Sequence, residues 1–322
     1  MSTLELILII AVVLIVNGIL FFILSLFIAS YIIYTSVLTR NEEGKWGREP
    51  AYDDPKYLKM DALGQEWHQK NVAFMTPVSI VNEGLNLQGE YYNFGSDRSV
   101  IILPGRSESL RYSYFFAKPY KEQGYNVLVI DPRAHGLSDG IYSTIGFGES
   151  RDVLAWAKFL HETWGMQHIV LHGLCVGAAS GILAATAENC PSYIEGLIVE
   201  GMFANFDAIL RTHLKKRKKP TFLVCSFVNM WVKKYTGSNT RRGPMNAVEH
   251  MQKPILFLHS REDSHALPTF TETMYNKCAS KQKRIVWFET GEHSKVRITH
   301  MEKYDAAIQA FLVENFQIKK VS

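Results

Sequence analysis

The sequence predicts an α/β fold built on a mostly parallel sheet that helices cover on both faces. Strand-like segments alternate with segments of helical periodicity from residue 76 onwards. The strand-like segments are apolar throughout, as in HIVLHG at 168–173, which indicates strands buried on both faces. About 280 of the 322 residues follow an apolar N-terminal segment, enough for one large domain.

The N-terminal segment predicts one membrane-spanning helix. No charged residue lies between Leu6 and Thr39. At about 1.5 Å per residue this segment is about 50 Å long, which exceeds both the hydrocarbon core of a bilayer and the apolar core of a signal peptide. We therefore expect residues 1–39 to form a single tilted transmembrane anchor.

Basic residues after the anchor predict its orientation. Arg40, Lys45 and Arg48 follow the apolar segment, and no basic residue precedes it. The positive-inside bias then places the large domain in the cytoplasm. The four cysteines agree with a reducing compartment, because their spacing fits neither a disulfide framework nor a zinc site. We expect a single-pass protein of the cell membrane.

The remaining chain divides into a connector and a large domain. Residues 40–75 are polar and predict a juxtamembrane connector with a helix near 55–70, and residues 76–322 form the domain. The domain opens with an antiparallel strand pair that turns at Asn82-Glu83-Gly84. The further strands are predicted at 99–105, 126–132, 168–173, 193–202, 254–260 and 283–290, with a closing helix at 297–316.

The turn after the strand at 168–173 carries a candidate nucleophile. Gly173-Leu174-Cys175-Val176-Gly177 has the spacing of a nucleophile elbow, with cysteine in place of serine. A helix that starts after Cys175 would aim its N–H groups at the sulfur and favour the thiolate. A small buried cysteine beside glycines is the alternative for this motif taken alone.

Three more predicted loops could complete a site, because reactive side chains collect at the carboxyl ends of parallel strands. LPGRSES supplies the N–H of Arg106, which with that of Val176 could bind an oxyanion; the Arg106 side chain could instead bind an acidic substrate group. HSREDSHALP supplies Asp263, which we favour as the acid over Glu200. TGEHSKV supplies His293, a loop histidine that could reach both nucleophile and acid.

Together these motifs resemble the α/β-hydrolase superfamily over roughly residues 76 to 316. One strand and its following loop in that superfamily are similar to NVLVIDPRAHGLSDG. Its acid-bearing segment is similar to PILFLHSREDSHALP, and its histidine loop is similar to GEHS. The anchor and DGIYSTIGFGESRDVLAW are similar to a membrane-anchored bacterial subgroup, called prolyl-oligopeptidase-like or serine aminopeptidase-like. The resemblance implies a helical cap and a triad of Cys175, Asp263 and His293, with Arg106 and Val176 forming the oxyanion hole.

Cys175 departs from that subgroup, which normally carries serine. Dienelactone hydrolases and polyhydroxyalkanoate synthases use cysteine at the elbow, but other stretches of this chain resemble neither. A thiolate beside a histidine is a competent acyl acceptor. We therefore predict a hydrolase that cleaves an ester, thioester or amide through a thioester acyl-enzyme. An acyltransferase with the same triad and a non-catalytic hydrolase-fold binding protein are the alternatives.

A basic insertion at about 204–252 is the expected cap. From Ala208 to Val248 it contains ten lysines and arginines and no acidic residue. It is either a solvated basic face or a surface that docks on anionic lipid. We expect a small-molecule or lipid-like acyl substrate and a membrane partner. The net charge of +4 does not indicate a nucleic-acid partner, and no metal or organic cofactor is implied. The oligomeric state is left open.

Overall fold

A central sheet of eight strands organises the computed structural model, which describes residues 2–42, 44–50 and 53–316. The spatial strand order is β1-β2-β4-β3-β5-β6-β7-β8. The strands are β1 Met75–Asn82, β2 Leu85–Tyr92, β3 Arg98–Leu103, β4 Asn126–Ile130, β5 His168–Leu174, β6 Ile194–Glu200, β7 Ile255–Ser260 and β8 Lys283–Phe288.

Strand pairing confirms the predicted mostly parallel sheet. β1 pairs antiparallel with β2, and β2 pairs antiparallel with β4, while every later pair from β4 to β8 is parallel. Glu83 and Gly84 join β1 to β2 with φ values of 50° and 77°. Two successive positive φ angles match the right-handed twist of a hairpin, which explains why glycine follows glutamate here.

Helices cover both faces of the sheet, as the uninterrupted apolar strands predicted. Successive residues of β3 point to opposite faces: Val100 and Ile102 enter one core, and Ile101 and Leu103 enter the other. The helices are α1 Thr3–Leu38, α2 Pro55–Asn71, α3 Leu110–Ser113, α4 Lys118–Glu122, α5 Phe147–Trp164, α6 Val176–Ala185, α7 Phe206–Lys216, α8 Phe222–Thr236, α9 Pro244–Ala247, α10 Pro268–Lys277, α11 Val296–Thr299 and α12 Met301–Phe316.

Helix α1 is the only helix of the described chain that is long and apolar enough to cross a membrane by length and composition. It begins with a capping box, in which Ser2 and Glu5 satisfy each other's backbone N–H groups. Its last turns pack against α8: Tyr34 and Leu38 are buried in one cluster with Val228. The end of α1 is thus part of the folded domain.

The segment after α1 is tied closely to that domain. Arg40 donates to the carbonyls of Ser138 and Gly136, and Arg48 pairs with Asp131 at 2.9 Å. Lys45 donates to two carbonyls in the last turn of α1. The three basic residues that predict the orientation therefore also have structural partners.

Helix α2 lies within the segment expected to be a connector. Asp54 caps it by accepting from the N–H of Tyr57, and Pro55 occupies its first position. Met60 is fully buried in the core on one face of the sheet. Helix α2 therefore packs on the sheet, and the domain boundaries given above stay a prediction.

The insertion between β6 and β7 forms α7, α8 and α9. Phe206 and Leu214 of α7 share the buried cluster that holds Tyr34 of α1 and Val228 of α8. Helix α7, which follows the carboxyl end of β6, and helix α8 therefore pack against the end of α1.

Candidate active site

The elbow occupies the connection between β5 and α6. β5 ends at Leu174 and α6 begins at Val176, so Cys175 alone makes the turn, with φ 51° and ψ −110°. A non-glycine residue in such a conformation costs about 1–3 kcal/mol and is typical of functional sites. The Cys175 N–H is satisfied by the carbonyl of Glu200 at 3.0 Å.

The two elbow glycines are required by close backbone approach. A Cβ atom at Gly173 would lie 2.5 Å from the Cα of Ala178, and one at Gly177 would lie 2.0 Å from the carbonyl oxygen of Leu103. Both contacts are far inside van der Waals distance. The G-x-C-x-G spacing therefore reflects the packing of α6 against β3 and β5.

Asp263 and His293 are in direct contact, although they belong to different loops. The Nδ1 of His293 lies 2.7 Å from Oδ2 of Asp263. The other oxygen of Asp263 accepts the N–H groups of His265 and Ala266, each at 2.8 Å. Burial opposes ionisation, but these bonds and the nearby histidine hold the pKa of Asp263 below its ordinary value. An ionised Asp263 requires Nδ1 of His293 to be the donor.

His293 therefore keeps Nε2 for a second partner, and Cys175 is adjacent. Sγ of Cys175 and one ring nitrogen each of His265 and His293 lie within 4.8 Å of one another. Nε2 of His293 is buried and forms no hydrogen bond with the described residues. Burial opposes the imidazolium, yet the Cys175 thiolate and the Asp263 carboxylate raise the pKa of His293 well above its ordinary value. The arrangement therefore favours the charged form of His293.

Glu200, the other acid considered from the sequence, has different partners. Its carboxylate accepts from the hydroxyl of Tyr304 at 2.6 Å and from the N–H of Val296 at 3.4 Å. It is fully buried, and burial raises its pKa to about 7. The structure therefore places Asp263, and not Glu200, against His293.

The loop after β3 leaves the Arg106 N–H available. The N–H of Gly105 donates to Glu108 at 3.0 Å, and that of Ser107 donates to Nε2 of His135 at 3.1 Å. The Arg106 N–H has no acceptor among the described residues. Val176 is the first residue of α6, where a backbone N–H has no partner within the helix. These are the two donors that the sequence singled out.

Sequence reasoning missed two groups that shape this loop. Glu108 is buried beside Cys175, and burial raises its pKa to about 7. His135 holds the Ser107 N–H, donates from Nδ1 to the carbonyl of Arg133, and stacks on Trp46. The signal for His135 lies in NVLVIDPRAHG, the segment that resembles a strand and loop of the α/β-hydrolase superfamily. Nothing in the sequence alone indicates that Glu108 turns inward.

Two cavities meet at Cys175. One has a volume of about 280 Å³ and a polar wall that includes Glu108, His265 and Lys295. The other has a volume of about 440 Å³ and runs between α1 and α7. Its wall is mainly apolar and includes Ile33, Val37, Phe206, Ile209, Leu210 and Leu214. The side chain of Arg106 lies at both cavities and donates to the carbonyl of Val37 at 3.3 Å.

A metal ion could also be held at this position. The thiol and imidazole groups of Cys175, His265 and His293 are ligands that suit Zn²⁺. They are the same groups that an acyl-transfer reaction would use, so metal binding and nucleophilic catalysis would exclude each other here.

Proteins similar in sequence align with about two thirds of the chain. No protein-family model matches the chain. The uncharacterised protein YqkD of Bacillus subtilis is 28% identical over 217 residues, which cover 66% of this chain and 70% of that protein. The uncharacterised membrane protein YNL320W of Saccharomyces cerevisiae is 23% identical over 223 residues, covering 69% and 73%.

Solved structures show the same architecture at low sequence identity. The esterase Pf2001 of Pyrococcus furiosus has a TM-score of 0.63 and 23% identity, and the match covers 84% of this chain and 98% of that one. Est1E of Butyrivibrio proteoclasticus, with ferulic acid bound, has a TM-score of 0.59 and 18% identity, covering 74% and 99%. The chain thus has the α/β-hydrolase fold, and the narrower resemblance to a membrane-anchored subgroup stays a prediction.

Proposed function

We propose that the protein is a membrane-anchored hydrolase that cleaves acyl bonds through Cys175, His293 and Asp263. The observation that carries the proposal is the geometry around His293. One ring nitrogen is fixed by Asp263 at 2.7 Å, and the other is left for the thiol of Cys175. Acyl transfer needs a nucleophile, a base that contacts it, and an acid that orients the base. Cys175, His293 and Asp263 are arranged in that order.

In the first half of the reaction, the Cys175 thiolate attacks the substrate carbonyl carbon. The N–H groups of Arg106 and Val176 stabilise the negative charge that develops on the carbonyl oxygen. The bond from carbon to the leaving group then breaks, and the departing alkoxide, thiolate or amine takes its proton from the His293 imidazolium. The products are the free leaving group and a thioester on Cys175.

In the second half, water replaces the leaving group. Neutral His293 removes a proton from water as the water oxygen attacks the thioester carbon. The carbon–sulfur bond breaks, the carboxylic acid departs, and the pair of thiolate and imidazolium is restored. Asp263 holds the ring in one tautomer and favours its charged form throughout.

We propose that α1 anchors the protein in the cell membrane with the α/β domain in the cytoplasm. The length and composition of α1 support the anchor, as does the description of the yeast relative as a membrane protein. Arg40, Lys45 and Arg48 support the orientation through the positive-inside bias.

The test is ester hydrolysis by purified full-length protein in detergent, with p-nitrophenyl butyrate as the substrate and EDTA present. Cys175→Ala should abolish turnover, and His293→Ala should lower kcat by about 100-fold or more, as loss of a general base does. Cys190→Ala, which removes a thiol distant from the site, is the matched control and should keep full activity.

Two results would favour the other functions. If the wild-type protein with an added alcohol acceptor forms mainly a new ester instead of acid, the protein is an acyltransferase with the same triad. If neither wild type nor any variant turns over an acyl substrate or becomes acylated, the fold serves as a binding protein.

A further inference from the structure

We propose that the cavity between α1 and α7 binds a long fatty acyl chain, and that the substrate is an acyl ester drawn from the bilayer that holds α1. This inference rests on the proposed function of Cys175. It concerns where the substrate comes from and which part of it the protein recognises.

The exposed part of α1 matches the thickness of a bilayer. Residues 3–25 of α1 are exposed along the whole circumference of the helix. At about 1.5 Å per residue they span about 35 Å, which suits a hydrocarbon core of about 30 Å with a modest tilt. The bilayer surface then lies near residue 25, where α1 begins to pack against the folded domain.

The next turns of α1 lie against α8. Leu26, Ser30, Tyr34 and Leu38 recur every four residues and form one face of the helix, and the Trp231 indole N–H donates to Ser30 Oγ at 3.1 Å. Phe27 packs on the rings of Phe227 and Trp231 at centroid distances of 5.3 and 4.9 Å. Aromatic side chains at this level are typical of a membrane–water interface.

The apolar cavity is lined both by these turns and by the nucleophile. Ile33 and Val37 of α1, Ile209 and Leu210 of α7, and Cys175 all contribute to its wall. A volume of about 440 Å³ is within the range of small-molecule sites, roughly 300–1,000 Å³. An apolar wall that is continuous with a membrane helix suits a hydrocarbon chain better than a polar or charged substituent.

The charged residues that line the cavity are positive: Arg106, which also borders the polar cavity, and Arg217. Five consecutive basic residues, the last two of α7 and the three that follow it (215–219), are exposed, and Arg217 borders the cavity itself. Phe222, which starts α8, is 72% exposed. Basic residues beside an exposed aromatic ring suit the head-group region of an anionic membrane. The acyl chain would thus enter beside α1, with its carbonyl at Cys175.

The first test is a chain-length series of p-nitrophenyl esters from acetate to dodecanoate with the full-length protein in detergent. We expect kcat/KM to rise roughly threefold to fourfold for each added methylene until the cavity is filled. Hydrolysis of acetate with no gain for longer chains would overturn this inference and leave the proposed function intact. Failure to hydrolyse any ester would contradict the proposed function.

A variant that fills the cavity gives an independent check. Val37→Trp should lower kcat/KM for dodecanoate at least tenfold more than for acetate, because Val37 lines the cavity and acetate has no chain that fills it. Ile32→Trp is the matched control, since Ile32 is exposed and does not line the cavity; it should leave the chain-length profile unchanged. Equal losses on both esters in Val37→Trp would overturn the assignment.

The source of the chain is tested in vesicles that contain phosphatidylglycerol. The full-length protein is placed either in the vesicles that carry p-nitrophenyl palmitate or in separate vesicles mixed with them. Hydrolysis should be at least tenfold faster when protein and ester share one bilayer. Equal rates in the two arrangements would show that the ester arrives through water, which contradicts the proposal.

Discussion

The Nδ1 of His293 lies 2.7 Å from Oδ2 of Asp263, across 30 residues of sequence. This bond decides which nitrogen of the imidazole can act on the nucleophile, because it occupies Nδ1 and leaves Nε2 for Cys175. The remaining oxygen of Asp263 is held by two backbone N–H groups of its own loop. The orientation of His293 is therefore set by β7 and β8, which place the two loops side by side.

Replacing Cys175 with serine should preserve catalysis in weakened form. The elbow backbone and the pair of His293 and Asp263 are those that a serine nucleophile uses, so the hydroxyl should fit without new strain. Cys175→Ser should hydrolyse p-nitrophenyl butyrate measurably and react with a fluorophosphonate probe, whereas Cys175→Ala should do neither. A gain of activity in Cys175→Ser from an inactive wild type would mark the native protein as a former enzyme.

Adding one methyl group at Gly177 should destabilise the fold. Its Cβ would lie 2.0 Å from the carbonyl oxygen of Leu103, a backbone atom that cannot move without shifting β3. Gly177→Ala should cost about 3 kcal/mol or more of unfolding free energy. Gly181 lies one turn later in α6, where a Cβ would meet nothing nearer than 3.5 Å.

Gly181→Ala is therefore the matched control for the elbow. It should be neutral or stabilise the protein by up to about 1 kcal/mol, as alanine does in a helix. Chemical denaturation of the two variants in detergent gives both values. Similar stabilities for Gly177→Ala and Gly181→Ala would contradict the close approach of α6 to β3.

The buried carboxyl of Glu200 predicts a pH-dependent stability. Burial raises its pKa from 4.5 to about 7. The native state thus holds a proton that the unfolded state loses first, and the stabilisation is fully present below pH 4.5 and lost as the pH rises through 7. Glu200→Gln, which can still accept from Tyr304, should gain up to about 3 kcal/mol over the wild type between pH 4.5 and 8.

Denaturation at several pH values tests this difference, with the exposed Glu302→Gln as the control for removing a carboxylate. A stability difference between Glu200→Gln and wild type that stays constant from pH 4.5 to 8 would be incompatible with a raised pKa at Glu200.

The orientation of the chain can be measured with intact cells. If the α/β domain is cytoplasmic, a membrane-impermeant lysine reagent should label the exposed Lys218 and Lys219 only after lysis. Peptide mapping by mass spectrometry identifies the labelled lysines. Efficient labelling of this segment in unlysed cells would establish the opposite orientation.

Much of the fold follows from local patterns in the sequence. Uniformly apolar strands predicted the parallel sheet, and the spacing of Gly173 and Gly177 predicted the tight turn at Cys175. The chain order of Cys175, Asp263 and His293 predicted that they would come together, and the structure places them in one cluster. Their catalytic roles stay a prediction.

Other features depend on contacts between distant segments, which no local pattern reveals. The last turns of α1 are uncharged like its first turns, so the absence of charge could not show that Tyr34 packs in the domain rather than in lipid. The bond from Ser107 to His135 joins two loops and leaves the Arg106 N–H free. Glu108 turns inward, where the Gly105 N–H donates to its carboxylate.

The most direct test of the proposed mechanism is to trap the acyl-enzyme. Full-length protein is mixed with p-nitrophenyl acetate, quenched in acid during turnover, and mapped by mass spectrometry. The account predicts an acetyl group on Cys175 and none on Cys190, Cys225 or Cys278, whose pKa values are raised by burial. Turnover without acetylation of Cys175, or full activity in Cys175→Ala, would contradict it.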